Sequence, residues 1–303
     1  MKNSIIIGID HGYGNIKTAH HCFKSGVTAS ETEPTFRSSL LICEGRYYQI
    51  GDAHKEFVAA KMQDQDYYIL TLAAVAAELH DRHLQEASVH LAAGLPLTWV
   101  STQKEEFRAY LLQNREVTFN FKSTDYHVEF TGADIFPQGF AAVADHLHDF
   151  TGINMLADIG NGTMNLMYIN ERRPVAQKCY TEKFGVNQCV LAVREHVLKE
   201  HGTVMEEALI ERILRHGTAD IDRAYLETVR NTAAEYVAGI FAKLREREYN
   251  PALMRLYLVG GGSCLVRNFG QYDVQRVFIN EDICATAKGY ETLALKQLRR
   301  MGG

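Results

Sequence analysis

Strands and helices interspersed along all 303 residues predict an α/β protein. A loop motif, D-x-G-x-G between two apolar strands, occurs near the start and again half a chain later, which predicts a fold built from two related halves. The length suits one large α/β domain or two of moderate size. Hydrophobic residues make up 46% and charged residues 23%, with only 5 prolines, as in an ordinary globular protein.

Apolar runs bounded by turn residues read as strands at 4–9, about 16–22, 38–43 and 46–50. Residues 66–80, DYYILTLAAVAAELH, combine helical apolar repetition with strong helix formers and predict a largely buried helix. SVHLAAGLPL (88–97) reads as a strand ending at Gly94-Leu95-Pro96. An amphipathic helix is expected next, with Ser101 as N-cap, because Glu105 and Glu106 enrich its first turn and Phe107, Tyr110 and Leu111 recur on one face. EVTFNF and YHVEF predict a hairpin around Lys122-Ser123-Thr124-Asp125.

After Pro137, QGFAAVADHLHDF predicts a helix, and a loop with Thr151-Gly152 leads into NMLADIGNGTMNLMYI. Two helices follow, over 186–202 and 203–217, closed by Gly202 and Gly217. A long amphipathic helix fills much of 219–247. RLYLVGGGSCL (255–265) reads as a strand, a glycine turn and the start of a helix, and a last helix spans about 283–300.

A formal net charge of -5 argues against a dedicated nucleic-acid binder, whose affinity for phosphate backbones comes from clustered Lys and Arg. No apolar run approaches the roughly 20 residues that cross a bilayer. The apolar stretch of MKNSIIIGID is too short for a signal peptide, and there is no amphipathic N-terminal extension to lie on a membrane. Cys22, Cys43, Cys179, Cys189, Cys264 and Cys284 form no C-x-x-C pair, which fits reduced thiols in a cytoplasm. The 13 histidines lack acidic or thiol partners at metal-ligand spacing.

IIIGIDHGYGNIKTAH aligns with NMLADIGNGTMNLMYI so that Asp10, Gly12 and Gly14 fall on Asp158, Gly160 and Gly162. Neither copy fits a P-loop or a dinucleotide fingerprint, because a strand rather than a helix follows. Glycines in a tight hairpin let successive N–H groups form an anion-binding nest and let a phosphate come close. A carboxylate at the loop entrance suits a hydrated Mg²⁺, which takes one or two carboxylates plus phosphate oxygens. One copy alone reads equally well as an ordinary turn; two copies in matching strand-loop-strand contexts favour a clamp on a nucleotide tail. Lys17 could neutralise the β- or γ-phosphate, Gly260-Gly261-Gly262-Ser263 suits close approach to a base or sugar, and Gln138 could orient an attacking water. Solvated-surface readings of Lys17 and Gln138, and a packing reading of the glycine turn, stand beside these.

In this order the motifs resemble those of the actin/Hsp70/sugar-kinase superfamily: the loop from Asp10 to Lys17, the segment from Gln138 to Ala142, the loop from Asp158 to Asn165, the turn from Gly260 to Ser263, and Ala287-Lys288-Gly289 opening the last helix. GIDHGYGNIK, AAGLPL and FGVNQ look most like the bacterial plasmid-segregation actins of the ParM/StbA-like group. The resemblance covers essentially the whole chain. It implies an actin-like fold of two RNase H-like domains, 1–152 completed by the helix 283–303, and 153–282, with ATP or GTP and Mg²⁺ in a cleft between them.

By the same resemblance, Asp10 and Asp158 hold the hydrated Mg²⁺. Gly12, Tyr13, Gly14 and Asn15, with Gly160, Asn161, Gly162 and Thr163, bind phosphates, and Lys17 reaches the β-phosphate. Gln138 and Asp158 serve hydrolysis together with Asn165, which lies where relatives often carry His or Asp; an amide there implies slow hydrolysis. Gly260, Gly261, Gly262 and Ser263 line the nucleoside site, and Gly185, Glu211, Arg212 and Arg215 border base and ribose. The resemblance further implies head-to-tail filaments, a separate ParR-like adaptor on centromere-like DNA, no direct DNA binding, no membrane, and a cytoplasmic location. Stretches 31–65 and 103–130 are candidate filament contacts. A small-molecule kinase would need an acidic base, for which Asp134 is the nearest candidate to Gln138, and a non-polymerising nucleotide sensor is the other alternative.

Overall fold

The computed structural model describes residues 4–35, 37–51, 62 and 65–301. Of the candidate contact stretch 31–65, residues 36, 52–61, 63 and 64 lie outside the described residues. The chain divides into two compact units, Met1–Asp145 with Cys284–Gly303, and His146–Ile283.

The first unit runs β1 (Ile5–His11), β2 (Asn15–Lys17), β3 (Cys22–Lys24), β4 (Val27–Ser30), β5 (Leu40–Cys43), β6 (Arg46–Ile50), α1 (Asp66–Asp81), β7 (Glu86–Leu95), α2 (Leu97–Leu111), β8 (Glu116–Phe121) and β9 (Thr124–Pro137). Its strands form one sheet in the order β3-β2-β1-β7-β9-β8-β5-β6-β4. β1 is parallel to β7 and β7 to β9, whereas β1 and β2 form an antiparallel hairpin. β1 is covered on both faces: Ile7 and Ile9 on one face and Gly8 and Asp10 on the other are all buried. α1 is buried along most of its length because nearly every residue from Tyr67 to Leu79 is apolar. β8 and the first half of β9 alternate instead: Val117, Phe119, Phe121, Tyr126, Val128 and Phe130 point into the core.

The second unit holds β10 (Ile153–Ile159), β11 (Met164–Asn170), β12 (Arg173–Glu182), α3 (Val186–His201), α4 (Glu207–His216), α5 (Arg223–Glu246), β13 (Arg255–Val259), α6 (Ser263–Phe269) and β14 (Val277–Ile279). Its sheet order is β12-β11-β10-β13-β14, with β10 antiparallel to β11 and parallel to β13, and β13 parallel to β14. That is the order and direction of β3-β2-β1-β7-β9 in the first unit, so the repeat read from two loops extends to five strands. α7 (Ala285–Met301) belongs to the first unit, where Ala287, Tyr290 and Ala294 are buried. Among the described residues no helix is long and apolar enough to cross a membrane.

Several expectations are corrected. The helix after Pro137 is absent: β9 runs to Pro137, Gly139 takes a φ of 76°, and only 3₁₀ turns follow at Phe140–Val143 and Leu147–Asp149. Backbone bonds there run from Ala142 to Gly139 and from Ala144 to Ala141, three residues apart. The helix expected from Ser101 starts at Leu97, because the Pro96 carbonyl accepts from Trp99 and Val100 N–H; Ser101 lies inside it. The strand over 16–22 breaks between β2 and β3, where Thr18 Oγ1 accepts from the His21 N–H and closes a turn. The helices expected over 203–217 and 219–247 begin only at Glu207 and Arg223, the latter capped by Asp222, whose carboxylate accepts from Ala224 N–H at 2.8 Å. β4, β12 and β14 had no sequence signal. β12 follows a two-residue turn of Glu171 and Arg172, both at positive φ, a conformation usually marked by Gly or Asn.

Candidate functional site

The first D-x-G-x-G loop closes the β1–β2 hairpin, in which Asp10 pairs with Lys17 and His11 with Ile16. Cross-strand partners share a face, and the Lys17 ammonium accordingly lies 3.3 Å from Asp10 Oδ2. On the other carboxylate oxygen, Gln138 Nε2 donates to Asp10 Oδ1 at 3.3 Å. Gln138 is held at the end of β9 by its own N–H, which donates to the Leu95 carbonyl at 2.8 Å. Two candidates far apart in sequence, Lys17 and Gln138, are thus assembled on the one buried carboxylate of Asp10. Burial also pushes the Tyr13 hydroxyl well above its ordinary pKa.

Ser25, absent from the sequence expectations, fixes the tip of this loop. Its hydroxyl donates to the Tyr13 carbonyl and its N–H to the Gly14 carbonyl at 3.2 Å. In a trans peptide the N–H points opposite to the carbonyl. The amides of Gly14 and Asn15 therefore face away from Ser25.

The second loop repeats this register: Asp158 pairs with Asn165 and Ile159 with Met164. Asn165 therefore occupies the place of Lys17, across from the aspartate, and Thr181 Oγ1 donates to its Oδ1 at 2.8 Å. Here the head of α3 does what Ser25 does in the first loop. Val186 and Asn187 N–H donate to the Gly160 and Asn161 carbonyls at 3.1 and 2.9 Å, so the Asn161 and Gly162 amides face away from α3. Gly185 permits this contact, since a Cβ there would lie 2.2 Å from the Asn161 carbonyl oxygen. Gly160 N–H donates to the Thr163 carbonyl at 2.8 Å and closes the turn.

The turn at Gly260-Gly261-Gly262-Ser263 backs onto the same hairpin. Gly260 has a φ of 84°, and a Cβ on it would meet Asp158 Oδ1 at 2.4 Å. Gly262 N–H donates to the Ile159 carbonyl at 2.8 Å, while Ser263 Oγ donates to the Asn280 carbonyl at 3.4 Å. Glu211, Arg212 and Arg215 lie on α4, and what ties that helix to the turn is its last carbonyls: Asn268 Nδ2 donates to Leu214 and Arg215 at 2.9 Å, and Arg267 to Arg215 at 2.9 Å, both donors being on α6. Arg212 and Arg215 are exposed and Glu211 half-buried.

Two parallel-antiparallel sheets of one topology, each bearing an acidic glycine hairpin, define the actin fold class. Residues 8–140 match the family model of the actin-like proteins' N-terminal domain, and 156–269 match that of the archaeal actin homologue MreB-like C-terminal domain. The chain belongs to the actin-like superfamily. Among solved structures it is similar to Ta0583, an archaeal actin homologue, at 20% identity over 96% of this chain and 99% of that one, TM-score 0.77. It is also similar to the Alp12 filament structure (15%, 98% and 100%, 0.71) and to Bacillus thuringiensis ParM with AMPPNP (12%, 98% and 100%, 0.72). By sequence it matches no curated protein.

Proposed function

We propose that the chain binds a nucleoside triphosphate, ATP or GTP, through both hairpin loops, hydrolyses it slowly, and assembles head to tail into filaments that move a plasmid or other DNA element. The observation that carries this reading is the shared register of the two hairpins, with carbonyls of each loop drawn away by Ser25 or by α3 and amides turned to the other side. ParM and Ta0583 have been solved with AMPPNP and ADP respectively, and Alp12 as a filament, which supports nucleotide binding and self-association here.

Mg²⁺ is part of this reading: a hydrated ion takes one or two carboxylates, for which Asp10 and Asp158 are the candidates, and its remaining ligands from water and phosphate. When bound, the ion would neutralise phosphate charge. Lys17 adds a second positive charge opposite Asp10. Gln138 and Asn165 are amides, able to orient a water but poor proton acceptors, so hydrolysis is expected to be slow. A ParR-like adaptor supplies DNA contact, in keeping with the net charge of -5.

Pelleting and negative-stain microscopy with Mg-ATP, Mg-GTP and no nucleotide, with phosphate release followed in parallel, test the proposal. Nucleotide-dependent filaments that shorten as phosphate appears are expected. Nucleotide binding without filaments across protein concentration and salt would overturn the filament reading.

A further inference from the structure

α1 contributes no atom to either loop, yet it carries two polar side chains in an otherwise apolar buried stretch. Thr71 and Glu78 are both fully buried. Seven residues apart, they lie on one face of the helix, two turns from each other. A polar group so placed costs stability unless it is hydrogen-bonded, and both find their partners at the ends of the first loop.

Thr71 Oγ1 donates to the Tyr67 carbonyl at 2.7 Å, so its 2.8 Å contact with His11 Nε2 is accepted from the imidazole, which fixes the tautomer with the proton on Nε2. The His11 ring is held edge-on to Tyr67 and Phe107, with centroids 6.0 and 5.6 Å away. Glu78 accepts from Thr18 Oγ1 at 2.6 Å, from the His20 N–H at 3.1 Å and from Arg82 at 3.0 Å, and it lies 3.0 Å from His20 Nδ1. His11 is the last residue of β1 and Thr18 the first after β2. Helix and hairpin thus present anchors at the same spacing, and everything between His11 and Thr18 is loop 1 with its Lys17.

The alternation of β1 separates the two jobs. Asp10 and Lys17 share one face of the hairpin, whereas His11 and Ile16 share the other, which packs on α1. With Ser25 holding the tip, the loop is fastened at both ends and in the middle by groups outside its own glycines.

We infer that Ser25, Thr71 and Glu78 are positioning residues for the first loop, setting its amides and Lys17 for the phosphates of the nucleotide. This rests on the nucleotide-binding reading above. A misplacement of about 1 Å is enough to cost a large factor in a site built on oriented groups.

The test is isothermal titration of the full chain with Mg-ATP, Mg-GTP, inorganic tripolyphosphate and adenosine, for the parent and for Thr71→Val, Thr71→Ser and Ser25→Ala, with melting temperatures measured alongside. Thr71→Val and Ser25→Ala are expected to weaken the triphosphate and tripolyphosphate by about tenfold or more while leaving adenosine unchanged, and Thr71→Ser to restore the parent value. General loosening of the fold would weaken adenosine equally and would overturn the inference, as would parental affinities in both variants. If Thr71→Val does not fold, the Ser25→Ala result decides. A parent that binds neither nucleotide nor tripolyphosphate overturns the nucleotide reading itself, and the inference with it.

Discussion

Replacing Gly289 by alanine sets two effects of known size against each other. In the middle of a helix, alanine is favoured over glycine by about 1 kcal/mol. A Cβ at this place in α7, however, would lie 1.9 Å from the Ala141 carbonyl oxygen and 2.4 Å from its carbon. Both obstacles are backbone, so no rotamer change relieves them, and α7 must withdraw from the Phe140–Val143 turn by at least about 1 Å to reach a tolerable contact. A gap of that size forfeits a quarter to a half of each dispersion contact across it. The contacts at stake are those of Ala141, Tyr290 and Ala294, all buried, and of Phe136, whose ring stacks on Tyr290 at 6.1 Å. Overpacking of a core costs about 1–3 kcal/mol, and with backbone on the receiving side the upper end applies. The net expectation for Gly289→Ala is a loss of about 2 kcal/mol once the helix preference is credited. Urea unfolding followed by circular dichroism reads this as a lower midpoint at unchanged slope. A variant as stable as the parent, or more so, would show that α7 moves freely over the turn and would refute the reasoning.

Gly162 offers the converse case: its φ is not positive and nothing lies within 4 Å of a Cβ built on it, so Gly162→Ala should leave the unfolding midpoint unchanged yet, on the proposed phosphate-binding role of this loop, weaken binding of Mg-ATP or Mg-GTP in titration calorimetry by about tenfold, since the methyl would take the space proposed for a phosphate. Asn165→Asp places a proton acceptor across from Asp158 and should raise phosphate release several-fold; an unchanged rate would remove Asn165 from the hydrolytic step. Burial alone would raise the Glu78 pKa, but hydrogen bonds from Thr18 and His20 and the charges of His20 and Arg82 outweigh it and hold the carboxyl below its ordinary value. Its stabilisation is therefore present above the unfolded pKa near 4.3 and is lost as pH falls through the lower folded value. The parent should lose stability below about pH 4.3 more steeply than Glu78→Gln, measured by urea midpoints from pH 3 to 6; parallel curves would exclude Glu78 from the acid transition.

The elements legible in the sequence are those whose cause is local. α1, α3 and the β8–β9 hairpin announce themselves by apolar spacing, and α3 also by Gly202, which takes the left-handed conformation expected of it. The helix after Pro137 failed for a reason no local pattern carries: Ala141 is small because Gly289 of α7 lies against it, not because it favours a helix. β12 failed because Glu171 and Arg172 adopt a turn their side chains do not advertise.

The same division runs through the candidate site. D-x-G-x-G is a contiguous word, and its repetition could be read directly, whereas the register that makes Lys17 and Asn165 equivalent belongs to strand pairing. Ser25, Thr71 and Glu78 gave no signal, since a serine before a glycine reads as a turn and two polar residues in an apolar helix read as interruptions. Their meaning lies in partners such as His11 and Thr18, 60 residues away from α1. A loop of glycines cannot hold its own shape, because glycine is the residue with the most conformations to lose. The order such a loop needs must be imported from side chains elsewhere. In the first loop it comes from one serine and one buried helix, and in the second from the N-terminus of α3, so the two halves reach one loop geometry by different means.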